Sequence, residues 1–392
     1  MCSPLAGADP AEYWDVTPWA EAAGAYLLRF LHTEKMPRKL KVGFSSSPQN
    51  LCHATYRDLG FAAREDGLFD VYSAGGLGNN PKLGVKVAEG VAPDQILYYI
   101  KAMWLTFRAY GNYENRAKAR TRYMQEALGG PEAYAAAFRQ KLSEVYQTED
   151  LTLTGIETPA MTKTGVPDES LPAHPRVLAQ KQPGLYAVAW HPIGGMPDPA
   201  VFCQVSDALQ TMQDAELRLS PDEGAYLVNL NAEEARTLLA MTEGNTAHSL
   251  FETSVACIGA GTCQVGLRDS QALLADCVAA VRAARLPDGA LPQIHISGCP
   301  SSCGTHQTGA LGFRGAAKVR DGRPQPAFTL FAGGCSLQGH EAMGREIGIM
   351  LWENIPAFLV ALGQTVAAAG QDYAAWYAAN PSAIDTLAAR YL

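Results

Sequence analysis

Along the chain, stretches whose apolar positions recur every three or four residues give way to stretches that alternate apolar with polar, the rhythms of helix and strand. Ile96, Leu97, Ile100, Met103, Trp104 and Phe107 form one stripe of Pro93–Tyr110, which predicts a buried helix stopped by Gly111. Further helices are predicted from Thr17, as N-cap with Pro18 at the first helical position, to about His32, and over Pro131–Tyr146, Ala200–Met212 and Asp269–Arg285. Asn231 with Glu234 three residues on is a capping box opening a helix that stops at Gly244. Glu114–Arg122, Ala342–Trp352, Pro356–Ala369 and a short final segment also read as helical.

The period-two pattern predicts strands over Lys39–Val42, Leu68–Ser73, Leu185–Ala189, Glu216–Leu219, Ala225–Leu230, Ile294–Ile296, Gly309–Gly315 and Phe328–Phe331. From Leu185 the order strand, helix, strand, strand, helix is that of a ferredoxin-like unit. Thr148–Gln182, holding Pro159, Pro167, Pro172 and Pro175 without periodicity, reads as a linker. The expected organisation is α+β: a first α/β domain over 1–147, a linker over 148–182, a ferredoxin-like half-domain over 183–245 and a last domain over 246–392. No short-period repeat is visible.

Composition narrows the partners. Hydrophobic residues make up 47% and charged residues 18% of 392, as in a well-buried globular protein. A formal net charge of −8 argues against a nucleic-acid surface, so any anion must be drawn by a local basic pocket. The densest positive patch is Arg116, Lys118, Arg120 and Arg122. Nine clustered cysteines point to metal in a reducing compartment. The N-terminus has no basic and apolar leader pattern, and the longest apolar run, Ala357–Ala369, contains Gln364 and is too short to span a bilayer. A cytoplasmic protein without a membrane partner is expected.

The candidate chemistry lies between Cys257 and Cys303. Cys257-x5-Cys263 and Cys299-x3-Cys303 each sit in a Gly-rich turn, where backbone can wrap closely around a bulky inorganic group. Four thiolates so placed suit an iron–sulfur cluster. Structural zinc favours tighter pairs, and the bland alternative is that the cysteines pack as small hydrophobes. Cys277 shares a face with Leu273, Leu274, Val278 and Val281 and reads as core; Cys335 has no near partner and reads as structural. Lys39 and Lys41 project from one strand face, an arrangement that like charge disfavours unless an anion lies between them, although a solvated face is the plainer reading. The Gly-rich loop Ala74–Asn80 follows a strand, as cofactor loops do, but lacks a nucleotide fingerprint.

These motifs together resemble the sirohaem-containing nitrite and sulfite reductases. The likeness rests on the two cysteine pairs, with Gly298 and Pro300, and on Pro37-Arg38-Lys39-Leu40-Lys41, Pro48-Gln49-Asn50, Gly75-Gly76-Leu77-Gly78 and Glu114-Asn115-Arg116. It implies sirohaem-binding α/β domains with a ferredoxin-like half-domain, and a 4Fe–4S cluster on Cys257, Cys263, Cys299 and Cys303. Cys303 would bridge to the sirohaem iron, Lys39 and Lys41 would face the substrate anion, and Arg38 and Asn50 would join them around the haem. It further implies six-electron reduction of nitrite to ammonia or of sulfite to sulfide, fed by ferredoxin or a flavoprotein. In the family a further half-repeat with arginines precedes the part that matches Cys2–Gly7, so the chain reads as N-terminally truncated or as completed by another polypeptide. An iron–sulfur electron-transfer or scaffold subunit without sirohaem, and a zinc-stabilised domain, are the competing expectations.

Overall fold

The computed structural model describes residues 1–30, 33–158 and 161–392; the expected helix end near His32 and Pro159 of the expected linker lie outside the described residues. Helix α1 (Thr17–Leu28) starts behind Val16, and Asp15 rather than Thr17 supplies the side-chain acceptor, taking the Thr17 N–H at 2.9 Å. Strands β1 (Val42–Ser45), β2 (Leu59–Ala63), β3 (Phe69–Ser73) and β4 (Val85–Val91) then lie side by side in chain order, β1 and β2 parallel and the rest antiparallel. Helices α2 (Ile96–Tyr110), α3 (Tyr123–Ala127) and α4 (Pro131–Thr148) complete this first unit. Its core joins Phe44, Phe61, Phe69, Ile100, Met103, Phe107 and Phe138, with the Phe44 and Phe61 rings stacked at 4.7 Å. Two expectations change here. Lys39 and Lys41 precede β1 as its extended lead-in. Glu114–Arg122 is not a helix beyond the single turn Arg116–Lys118, because its cations are drawn to separate partners instead of sharing one helical face.

The middle sheet holds β5 (Val177–Ala179), β6 (Tyr186–Trp190), β7 (Glu216–Leu219) and β8 (Ala225–Leu230) in the antiparallel order β5-β6-β8-β7, with α5 (Pro199–Leu209) and α6 (Ala232–Thr242) beside it. The capping box is present at α6: the Asn231 side chain accepts the Glu234 N–H at 3.0 Å while Glu234 accepts the Asn231 N–H at 2.8 Å. The proline-bearing stretch before this sheet is not a free tether. It contributes β5, buries Leu171, and sends Lys163 to Glu234 at 2.7 Å.

The last unit comprises β9 (Val255–Ala256), α7 (Ser270–Ala284), β10 (Ile294–Ser297), β11 (Leu311–Arg320), β12 (Arg323–Ala332), β13 (Arg345–Leu351), α8 (Ile355–Ala368), α9 (Tyr373–Ala379) and α10 (Ala383–Ala388), with sheet order β13-β12-β11-β10-β9. The expected helix Ala342–Trp352 is overturned. Its residues form β13, antiparallel to β12. Gly344 and Gly348 would each cost a helix about 1 kcal/mol, whereas pairing with β12 satisfies the backbone.

The first and last sheets share one plan: a parallel pair, then two antiparallel strands, then a long helix. The segments Ser45–Phe61 and Ser297–Phe313 match residue for residue in length. Left-handed residues fall at equivalent places, Asn50 (φ 51°) with Ser302 (φ 56°) and His53 (φ 60°) with Thr305 (φ 51°). A Cβ on Gly60 would stand 1.8 Å from the Ala54 carbonyl oxygen, and one on the equivalent Gly312 would stand 1.8 Å from that of His306. One loop design thus occurs twice, with a single buried Cys52 in the first copy and the pair Cys299 and Cys303 in the second.

Candidate functional site

Six segments converge on one cavity of about 460 Å³: the lead-in to β1, residues 56–58 before β2, the loop after β3, the turns before α3, and the two cysteine loops of the last unit. The β9–α7 loop supplies Cys257 and Cys263, and the β10–β11 loop Cys299 and Cys303. Backbone ties the two loops: Leu267 and Arg268 donate N–H to the Gly298 carbonyl at 3.1 and 2.9 Å, and the Gly298 N–H donates to Cys257 Sγ at 3.2 Å. A side chain at Gly298 would meet the Arg268 carbonyl oxygen at 2.4 Å, so only glycine permits this approach. The Ser270 hydroxyl also lies 3.2 Å from Cys257 Sγ.

All four sulfurs face the cavity. Among the described residues, no three His, Cys, Asp or Glu side chains converge tightly enough for a single metal ion.

Cations share the cavity with the cysteines: Arg38, Lys39, Lys41, Arg57, Arg116, Arg120 and Arg122 line the same space. Among the described residues Asp58 is the sole carboxylate lining it, and its acceptors are already engaged. It takes the Lys41 N–H at 2.8 Å, the Arg120 guanidinium at 3.0 Å and the Thr121 hydroxyl. Burial, then the charges of Arg57, Lys39 and Arg120, lower the Lys41 ammonium to about 8 from the usual 10.5, with Asp58 opposing. Arg122 donates to the Asn79 carbonyl at 2.7 Å and lies over the Tyr123 ring at 4.9 Å. It thereby braces the Gly-rich loop, which Gln307 clasps from the last unit through Gly78 N–H and C=O at 3.0 and 2.9 Å.

The structure therefore gathers Cys257, Cys263, Cys299, Cys303, Arg38, Lys39 and Lys41 around one space. Asn50 stays outside it. That side chain is buried and spent on Thr55 Oγ1 at 2.8 Å, the Ser336 carbonyl at 2.9 Å and the Ala54 N–H at 2.7 Å, so it shapes a turn. Lys118 lines a separate hollow with Tyr110 and Asn112. Cys277 is in the core, and burial pushes its thiol up. Arg57, Tyr56 and Thr305 line the cavity without having been singled out in the sequence; only the unrecognised strand β2, which follows Arg57-Asp58 directly, could have drawn notice to them.

Comparison with known proteins bears on the family and the fold. Residues 1–147 match the family described as nitrite and sulphite reductase 4Fe-4S domain; that stretch is the first unit, whereas the four cysteines lie in the last. The chain is 27% identical over 350 residues to the ferredoxin–nitrite reductase of Synechococcus elongatus, covering 85% of this chain and 64% of that protein. It is 26% identical over 360 residues to sulfite reductase (ferredoxin) 1 of Mycolicibacterium paratuberculosis, covering 88% and 61%. The structure of the Mycobacterium tuberculosis NirA protein superposes with a TM-score of 0.73 at 23% identity over 92% of this chain and 66% of that one, which establishes the fold. The chain thus spans about three fifths of the length of these curated relatives.

Proposed function

We propose that this chain, whose first 147 residues match the family described as nitrite and sulphite reductase 4Fe-4S domain, carries the redox centre of an assimilatory-type reductase that takes nitrite to ammonia or sulfite to sulfide. The observation that carries the reading is one cavity lined by both four cysteines and seven cationic residues. Cys257, Cys263, Cys299 and Cys303 would hold a 4Fe–4S cluster, with Cys303 shared with a sirohaem. The residues fit both groups. Four cysteines lining one cavity have the donor chemistry of a cluster, and the cations suit a macrocycle bearing eight carboxylates, since the one carboxylate found lining the cavity is already paired. When bound, the cluster and haem supply single electrons to a six-electron reduction; that chemistry is the cofactors' own.

The chain's side chains do the rest. Lys39 and Lys41 draw a small oxyanion into an otherwise acidic molecule and stabilise charge on its oxygens. Lys41, lowered to about 8, is still about nine-tenths protonated at pH 7 and sits close enough to neutrality to give up a proton. Gly298 N–H fixes Cys257 Sγ, and Asp58 fixes the backbone of Lys41 and the head of Arg120. Ferredoxin, which both relatives carry in their names, is the expected donor, with a flavoprotein as the other choice. Among the described residues no helix is long and apolar enough to cross a membrane.

The test is reconstitution. The chain expressed with sirohaem synthesis and iron should show chlorin-type visible bands and acid-labile sulfide. Cluster signals without those bands would favour an electron-transfer or scaffold subunit, and colourless protein with bound zinc would overturn both.

A further inference from the structure

We propose that His53 and Asp222 are positioning residues that hold the Arg57 guanidinium against the cavity as a fixed anion-binding arm, linking the middle sheet to the site. The inference rests on the cavity reading above and concerns groups that it left unused.

Arg57 lines the cavity. Its Nε–H donates to the Cys52 carbonyl at 3.0 Å, and Nη2 lies 3.2 Å from His53 Nδ1. For the guanidinium to donate, Nδ1 must be bare, which puts the imidazole proton on Nε2. Nε2 in turn faces Asp222 Oδ1 at 3.5 Å. Asp222 lies in the turn between β7 and β8, so this carboxylate comes from the middle sheet while Arg57 and His53 belong to the first unit. Burial pushes the Asp222 carboxyl up, but the His53 contact, with His295 and Arg57 behind it, outweighs that and leaves it below the ordinary range. A charged Asp222 therefore backs the chain of contacts. The neighbouring Glu223 accepts the Ala256 N–H at 2.7 Å, so the same turn also touches the last unit just before Cys257.

The duplicated loop shows that this arrangement is not demanded by folding. Its second copy places Thr305 and Gly309 where the first has His53 and Arg57. The left-handed turn and the parallel strand pair form equally well without an imidazole or a guanidinium. His53, with 3% exposure and stacked on Tyr56 at 5.0 Å, is instead a buried prop for a side chain that faces the anion site. A guanidinium held by two contacts keeps its remaining N–H groups aimed one way, which lowers the entropy cost of gripping a carboxylate or small oxyanion.

The full chain, prepared without iron or sirohaem, offers two readouts. The first is the affinity for uroporphyrin, an octacarboxylate tetrapyrrole whose fluorescence reports binding, with sulfite as competitor to separate macrocycle carboxylates from a small oxyanion. Arg57→Gln should weaken uroporphyrin about tenfold, the loss of one charge-assisted contact. His53→Leu should weaken it severalfold, His53→Gln should restore part of that, and Arg57→Gln with His53→Leu should lose no more than Arg57→Gln alone. The second is the histidine ring nitrogen spectrum of selectively labelled protein. His53 should carry its proton on Nε2, and its Nδ1 resonance should move in Arg57→Gln and its Nε2 resonance in Asp222→Asn. A His53 resonance indifferent to both changes, or additive losses in the double variant, overturns the proposal. Failure of the unaltered chain to bind uroporphyrin, with the His53 coupling intact, would instead count against the tetrapyrrole reading, and the sulfite titration would then decide what Arg57 grips.

Discussion

Asp58 accepts the backbone N–H of Lys41 at 2.8 Å while gripping Arg120 at 3.0 Å, so one enclosed carboxylate sets the place of two cations on the cavity wall. Asp58→Ala would leave Arg120, with a side chain only 21% exposed, without its counter-charge. Removing one member of such a pair costs about 3 kcal/mol or more. The expected result is a lower thermal midpoint and weaker anion binding, read by calorimetry and by sulfite titration. An unchanged midpoint would show that Asp58 anchors nothing.

Lys41 makes a pH signature. Its folded pKa of about 8 lies below the ordinary 10.5, so between those values the unfolded chain binds more protons than the folded one, and stability rises with pH across that window. Lys41→Met removes this dependence. The variant should be the more stable at pH 7, because a partly buried ammonium no longer has to be held charged, and the advantage should fade toward pH 10. Its turnover with either oxyanion should fall far more than its cofactor content. Parallel stability curves for the two proteins from pH 7 to pH 10 would refute the electrostatic account.

The duplicated loop is tested by glycine. Gly60→Ala and Gly312→Ala each drive a methyl group into a carbonyl oxygen at 1.8 Å and should give insoluble or strongly destabilised protein. Gly24→Ala, in α1 with nothing within 4 Å of the added carbon, should instead stabilise by about 0.5–1 kcal/mol. Chemical denaturation of the three variants separates a packing requirement from a general intolerance of alanine.

Much of this architecture was legible in the residues, and the misses share a cause. The α2 stripe, the α6 capping box and the short apolar run of β8 are local signals, and they mark elements in the structure. The cysteine spacing was legible because sulfur and glycine together have few other uses. What failed depended on distant partners. Ala342–Trp352 carries helix-forming residues, yet β12 captures Arg345–Leu351 as a strand. Glu114–Arg122 has helical charge spacing, but Asp58 and the Asn79 carbonyl pull Arg120 and Arg122 to different places. Asn50 belonged to a matching motif, but its contacts are those of a turn. Arg57 was invisible because its meaning comes from His53 beside it and from Asp222 in another sheet.

Cysteine exchange separates the two classes of thiol. Cys277 is fully buried among Leu273, Leu274 and Val278, so Cys277→Ser should cost about 1–3 kcal/mol for a poorly paired hydroxyl and leave iron content unchanged. Cys303→Ser, at the cavity, should lose cluster iron or the coupling between cluster and haem while keeping its thermal midpoint in the metal-free form.

The most direct measurement is iron, acid-labile sulfide and visible absorption on one preparation of the chain made with sirohaem synthesis and iron. The account predicts about four irons and four sulfides in the cluster and one further iron in the haem per chain, together with chlorin-type bands, all falling away in Cys299→Ser. Colourless protein holding one zinc per chain, or a chain with neither iron nor labile sulfide, would contradict it.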